Sequence, residues 1–137
     1  MTKPLFLAAP LLLLLAAPAL AGDAALGEDL FKKCKACHSV TAADGTEIQK
    51  GGRTGPNLYG VMGRRVASDP DYSYGEALLA AGTTGAVWDE ASFADYVADP
   101  DGWVQRVTGD AAADSTMSFG LPSGAADVAA YLESVSH

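Results

Sequence analysis

Cys34-Lys35-Ala36-Cys37-His38 constrains this chain more than any other stretch. It contains the only two cysteines and one of the only two histidines among 137 residues. Two thiols three positions apart project from the same side of one helical turn. Each can add to one vinyl group of a haem, and the histidine that follows at once is delivered to the iron as proximal ligand. The run therefore reads as a covalent attachment site for one haem c, through Cys34 and Cys37. Two other uses of C-x-x-C fit less well. A tetrahedral zinc site needs four ligands, and the chain offers Cys34, Cys37, His38 and the distant His137, with no second cysteine pair. A redox dithiol is expected after a strand in a βαβ pattern, and the sequence shows no such alternation.

The N-terminal stretch has a separate logic. Lys3 is a short basic region, Leu5 to Leu15 is apolar, and Ala19-Leu20-Ala21 fits the small-x-small cleavage rule. Residues 1–21 are expected to be a cleaved signal peptide, leaving 22–137 as a single domain that starts at Gly22. The alternative is a retained anchor, because the apolar run from Pro4 to Ala21 is just long enough to reach the lower edge of a bilayer span. The two internal prolines and the Ala-x-Ala site favour cleavage. Export places both thiols outside the cytoplasm, where free thiols oxidise and haem attachment protects them. The expected location is the periplasm, with no membrane insertion after cleavage.

Charge is acidic overall, with a formal net of −8, but uneven. Residues 32–65 carry Lys32, Lys33, Lys35, Lys50, Arg53, Arg64 and Arg65 against Asp44 and Glu47, a net of +5. Residues 66–137 carry Arg106 against twelve acids, a net of −11. Nucleic acid is excluded as a partner by this balance. The asymmetry makes a dipole whose positive end is the haem-bearing segment, and a dipole can orient a diffusing protein before contact.

Hydrophobic spacing predicts helices. Asp23 caps a first helix with Leu26, Leu30 and Phe31 on one stripe, and Gly27 in its middle implies another helix crossing very close. Ser39 to Arg53 is polar and turn-rich and reads as a loop. A short helix is predicted from Gly75 to Ala81, ended by Gly82. Asp89 caps a stronger one containing Phe93, Tyr96 and Val97, ended by Pro100. Trp103, Val104 and Val107 suggest one more turn or helix. Thr108 to Ser115 is a small, polar loop that delivers Met117. Pro122 and Ser123 open a last helix with Val128, Tyr131, Leu132 and Val135 at helical spacing. The fold class is all-α, four or five helices joined by long loops. Loops of that length are out of place in a compact domain unless they wrap a large rigid cofactor.

His38 leaves the opposite face of the iron to fill. Apart from Met1, the available side chains are Met62, Met117 and His137. Met62 is close to the segment that should brace His38, and His137 is the last residue and expected to fray. Met117, far downstream of His38 on a loop between helices, is the best placed to reach over the haem. Pro56, which lacks an N–H, has a carbonyl free to accept from the second ring nitrogen of His38. Closed by a histidine and a thioether, iron has no room for dioxygen or substrate, and outer-sphere electron transfer is the remaining chemistry.

From 22 onward the chain resembles a class I c-type cytochrome, the family of mitochondrial cytochrome c, and is most similar to the longer bacterial periplasmic carriers. The pieces come in family order. Gly27 and Phe31 precede the C-x-x-C-H. Thr54-Gly55-Pro56-Asn57-Leu58, Gly63-Arg64 and Tyr72-Ser73-Tyr74 follow, then Trp88, Tyr96 with Asp99-Pro100, Met117-x-Phe119, and Tyr131. The resemblance implies the small cytochrome c fold. It implies Met117 as the axial sulfur ligand opposite His38, with Pro56 as the acceptor from the His38 ring. Tyr74 and Trp88 would donate to a haem propionate, with Arg64 near the same group. Tyr96 would hydrogen-bond near the methionine sulfur, and Ser115 would stand beside the other propionate. Gly27 would be the crossing point of the first and last helices.

Three departures from the mitochondrial pattern stand out. The segment between His38 and Pro56 is longer. Leu78 replaces an asparagine on the methionine side. Asp101, Thr116 and Ser123 stand near positions where lysines flank the methionine loop, which shifts the basic face towards Lys32, Lys33, Lys35 and Lys50. The implied function is that of a monomeric, soluble electron carrier and not an enzyme. The implied donor is a quinol-oxidising cytochrome bc complex. The acceptor would be a terminal oxidase, a photosynthetic reaction centre or a denitrification reductase. The competing function is a haem enzyme or gas-binding protein with an open iron site, which requires Met117 to be unbound.

Overall fold

A computed structural model describes residues 22–137; the expected signal peptide, 1–21, lies outside the described residues. Five helices and one small strand pair make up the described chain. Helix α1 (Ala24–Phe31) starts where Asp23 accepts hydrogen bonds from the Ala25 and Leu26 amides, at 2.9 and 3.2 Å. Its first turn is tied to the last helix, α5 (Ala125–Val135), by the Asp23 N–H donating to Asp127 at 2.7 Å. The α1–α5 crossing is the most extensive helix contact. A Cβ on Gly27 would collide with the Asp127 carbonyl and the Tyr131 Cβ, which is why the helix tolerates glycine in its middle. Phe31 is fully buried, with its ring 5.7 Å from that of Tyr131.

Between α1 and α2 (Glu76–Thr83) runs a long connection with little regular structure. The expected loop over Ser39–Arg53 contains a short antiparallel pair, β1 (Val40–Thr41) and β2 (Glu47–Gln49). Strands this short offer too few positions for alternation to be read from sequence. The turn between them is closed by Gly45 at φ 87° and by the Asp44 side chain accepting from the Thr46 amide.

The predicted end of α2 at Gly82 is corrected. The helix runs on to Thr83, because Gly82 lacks the Cβ that would strike the Val66 carbonyl and so packs flush against that segment. Helix α3 (Glu90–Ala98) has its expected cap, Asp89, accepting from Ser92 at 2.8 Å. Pro100 does not merely end α3. It opens α4 (Pro100–Thr108), for which Asp99 is the cap, accepting from Gly102 at 3.1 Å. Proline fits there because the first helical N–H has no partner to lose. Helix α5 starts at Ala125 and not at Pro122, since Gly124 takes the left-handed φ of 87° that turns the chain into it.

The core joins Phe31, Val104, Val128 and Leu132 with an aromatic set of Trp88, Tyr96 and Trp103. Trp88 stacks on Trp103 at 5.0 Å, and Tyr96 meets Trp103 edge-on at 5.5 Å. No buried residue of this core is charged. No helix among the described residues is long and apolar enough to cross a membrane.

Candidate functional site

The turn after α1 delivers the C-x-x-C-H run. The Cys37 and His38 amides both donate to the Cys34 carbonyl, at 3.2 and 3.0 Å, so the three side chains issue from one turn. A strap of residues 51–58 then lies along this turn. The Gly52 amide donates to the Lys35 carbonyl and that of Gly55 to the Cys37 carbonyl, both at 2.8 Å, and the Leu58 amide donates to Ser39 at 3.0 Å. Glycine is required along the strap: a Cβ on Gly51 or Gly52 would strike the carbonyl of His38 or Ala36, and one on Gly55 would strike the His38 ring.

Pro56 stands where the sequence predicts. Its carbonyl lies 2.7 Å from Nδ1 of His38. A carbonyl can only accept, so Nδ1 carries the proton and Nε2 keeps its lone pair for a metal. Burial holds the His38 pKa below its ordinary value, against the opposing pull of the Pro56 hydrogen bond. The outcome is a ligand kept neutral and aimed. Burial also raises the Cys34 thiol, with Cys37 adding and Lys33 opposing. No disulfide joins Cys34 to Cys37.

Cys34, Cys37 and His38 open into a cavity of about 340 Å³, within the range of cofactor clefts. Its walls are mostly apolar, from Leu58, Val61, Leu78, Phe93, Val97, Leu121 and Val128. Polar atoms come from Thr54, Arg64, Tyr72, Tyr74 and Trp88. The residues fit a haem c: two thiols, a neutral imidazole with a free nitrogen, an apolar interior, and a polar set for acidic substituents. Tyr74 keeps its proton available, since its oxygen accepts from the Asp69 amide at 3.3 Å while burial raises its pKa. Arg64 reaches the Tyr59 carbonyl at 3.4 Å, and its backbone pairs with Trp88, whose amide donates to the Arg64 carbonyl at 2.9 Å.

Met117 lines the same cavity and is half-buried. Neither rival does: Met62 packs against the core from outside the cavity, and exposed His137 is tied down by its backbone carbonyl, which accepts from the Tyr59 hydroxyl. The Tyr96 hydroxyl is 2.7 Å from the Ser115 hydroxyl, and that oxygen accepts from the Met117 amide at 3.2 Å. Ser115 thus stands behind the methionine loop, and its neighbour Thr116 is the one that lines the cavity. Leu78 is buried and adds apolar surface to the cavity wall.

Asn57 has a role that its place in a motif does not reveal. Its side-chain oxygen accepts from Thr41 at 2.9 Å and Tyr59 at 3.1 Å, and its amide donates to the Thr41 carbonyl at 2.7 Å. It locks the strap to β1 as a third strand would. Asn57→Ala is expected to destabilise the holoprotein by about 2 kcal/mol in a denaturant titration, because three hydrogen bonds go at once.

No protein-family model matches the chain. Individual relatives do. The chain is 52% identical over 123 residues to cytochrome c2 of Rhodobacter capsulatus, covering 90% of each. It is 53% identical over 113 residues to cytochrome c-550 of Paracoccus pantotrophus, covering 81% of this chain and 84% of that one. Among solved structures, ferric cytochrome c-550 from Paracoccus versutus matches with TM-score 0.82 and 51% identity, over 85% of this chain and 99% of that one. Cytochrome c2 from Rhodobacter capsulatus matches with TM-score 0.80 and 50% identity, over 83% and 98%.

Proposed function

Because this chain belongs to the class I c-type cytochromes, with haem c attached through Cys34 and Cys37, we propose that it is an exported carrier of single electrons whose iron is held by His38 and Met117. The bound haem supplies the one-electron iron couple. The chain's own residues do the rest. Cys34 and Cys37 fix the macrocycle, and Pro56 keeps His38 neutral and oriented. Met117 closes the other face; a thioether favours the ferrous state and raises the potential. Apolar walls exclude water, which adds to the same effect. Tyr74, Trp88 and Arg64 answer the propionate charge, while Tyr96 and Ser115 brace the methionine loop.

The observation that carries this reading is that Met117 lines the cavity of the neutral, oriented His38, and neither Met62 nor His137 does. Carbon monoxide tests it. The ferrous holoprotein is expected to keep its spectrum under the gas, since both axial positions are filled. Prompt formation of an adduct would overturn the closed site.

Residues 1–21 act in this reading as a signal peptide and 22–137 as the periplasmic domain. The donor is a cytochrome bc complex, and the acceptor is a terminal oxidase, a reaction centre or a denitrification reductase. The basic face that meets them is narrower than the sequence implies. Lys32 is paired to Asp29 at 2.7 Å, and that hydrogen bond raises its pKa. Lys33 lines the cavity mouth, with Lys35 close behind it on the same turn. Neutralising Lys33 and Lys35 together is expected to slow reduction by the donor several-fold at low salt and flatten the ionic-strength dependence. Lys32→Gln alone is expected to change the rate much less. Stopped-flow rates across a salt series give the comparison.

A further inference from the structure

No residue from Gly109 to Gly124, the segment that carries Met117, is in helix or strand. The hydrogen bonds that hold this loop come from α3 and α4. Asp101 accepts from the Ser115 amide at 2.7 Å. Gln105, one turn along the same helix, donates its side-chain amide to the Ala113 carbonyl at 3.0 Å. From α3, Tyr96 pairs with the Ser115 hydroxyl, which in turn accepts from the Met117 amide. Past Met117, the Leu121 amide donates to the Val97 carbonyl at 2.6 Å. The loop is therefore tacked down on both sides of the methionine.

Asp101 is the only ionisable carboxylate in this set, and a hydrogen bond to a charged acceptor is about twice as strong as a neutral one. We propose that Asp101, with Gln105 beside it, is a positioning residue for Met117: it acts through Ser115 to keep the thioether over the iron, and so sets how readily the sixth position opens. This rests on the reading of Met117 as axial ligand. A thioether is a neutral ligand that must be held in place against the conformational entropy of its loop. An outside ligand binds only the open fraction, so its apparent affinity reports that fraction.

Imidazole is the probe, titrated into the ferric holoprotein. Asp101→Ala is expected to raise its apparent affinity about tenfold, the equivalent of one charge-assisted hydrogen bond. Hydrogen exchange at the Ser115 amide should quicken by a similar factor. Asp101→Asn, whose amide oxygen can still accept, is expected to recover most of both. Asp23→Ala removes the cap of α1 away from the loop; it should lower the melting temperature and leave imidazole affinity unchanged. A wild-type ferric protein with its sulfur-to-iron band, and an Asp101→Ala variant with unchanged imidazole affinity and Ser115 exchange, would overturn this role alone. A wild type without the band would overturn the Met117 assignment, and this role with it.

Discussion

Replacing Met117 by alanine is expected to convert a closed iron site into an open one. The ferric protein should lose its far-red sulfur-to-iron band and become high-spin, and the ferrous protein should bind carbon monoxide. The midpoint potential should fall by on the order of hundreds of millivolts, because the ligand that favours ferrous iron is gone and water enters the cavity. The fold should survive. Met117 is half-buried at the cavity wall, whereas the buried core is carried by Phe31, Val104, Val128, Leu132 and the aromatic set. Met62→Ala is the matched control. Met62 is also half-buried but packs outside the cavity, so all four readouts should stay at wild-type values.

The second large effect concerns assembly. Gly27→Val places a branched side chain where even a Cβ would meet the Asp127 carbonyl and the Tyr131 Cβ. Neither obstacle can swing away, since one is backbone and the other is fixed by its helix. The two helices must separate, and the Phe31–Tyr131 contact and the Asp23–Asp127 hydrogen bond open with them. The expected cost is about 3 kcal/mol, the upper end for overpacking, which lowers the melting temperature by on the order of 10 °C. Gly27→Ala should fall between wild type and valine. The ferric spectrum should be unchanged at temperatures where the protein is folded, because neither His38 nor Met117 lies in this contact.

Much of this architecture is legible in the residues. Asp23 and Asp89 announce their helices, because a side-chain acceptor before an apolar stripe has few other uses. The mid-helix Gly27 announces the α1–α5 crossing. Pro56 is legible as the partner of His38 because a residue with no N–H can still accept. Other parts depend on contacts far apart in sequence. Gly82 reads as a helix stop, and only the Val66 carbonyl, well before it in the chain, shows why the helix continues through it. Pro100 reads as an end until Asp99 is seen capping the helix that starts there. The β1–β2 pair is too short to signal itself, and Asn57 holds it from outside. At the site, Ser115 makes a contact that its place in the sequence does not announce: its hydroxyl joins Tyr96 to the Met117 amide.

Everything proposed for this protein turns on His38 and Met117 together making an iron site that passes electrons and does nothing else. The decisive measurement is a spectroelectrochemical titration of the holoprotein, followed at the far-red band. A low-spin ferric spectrum with the sulfur-to-iron band present is expected. That band should vanish on reduction in a single reversible one-electron step at positive potential. A high-spin ferric spectrum lacking the band, or a low potential that shifts when imidazole is added at low concentration, would contradict a closed His38–Met117 site.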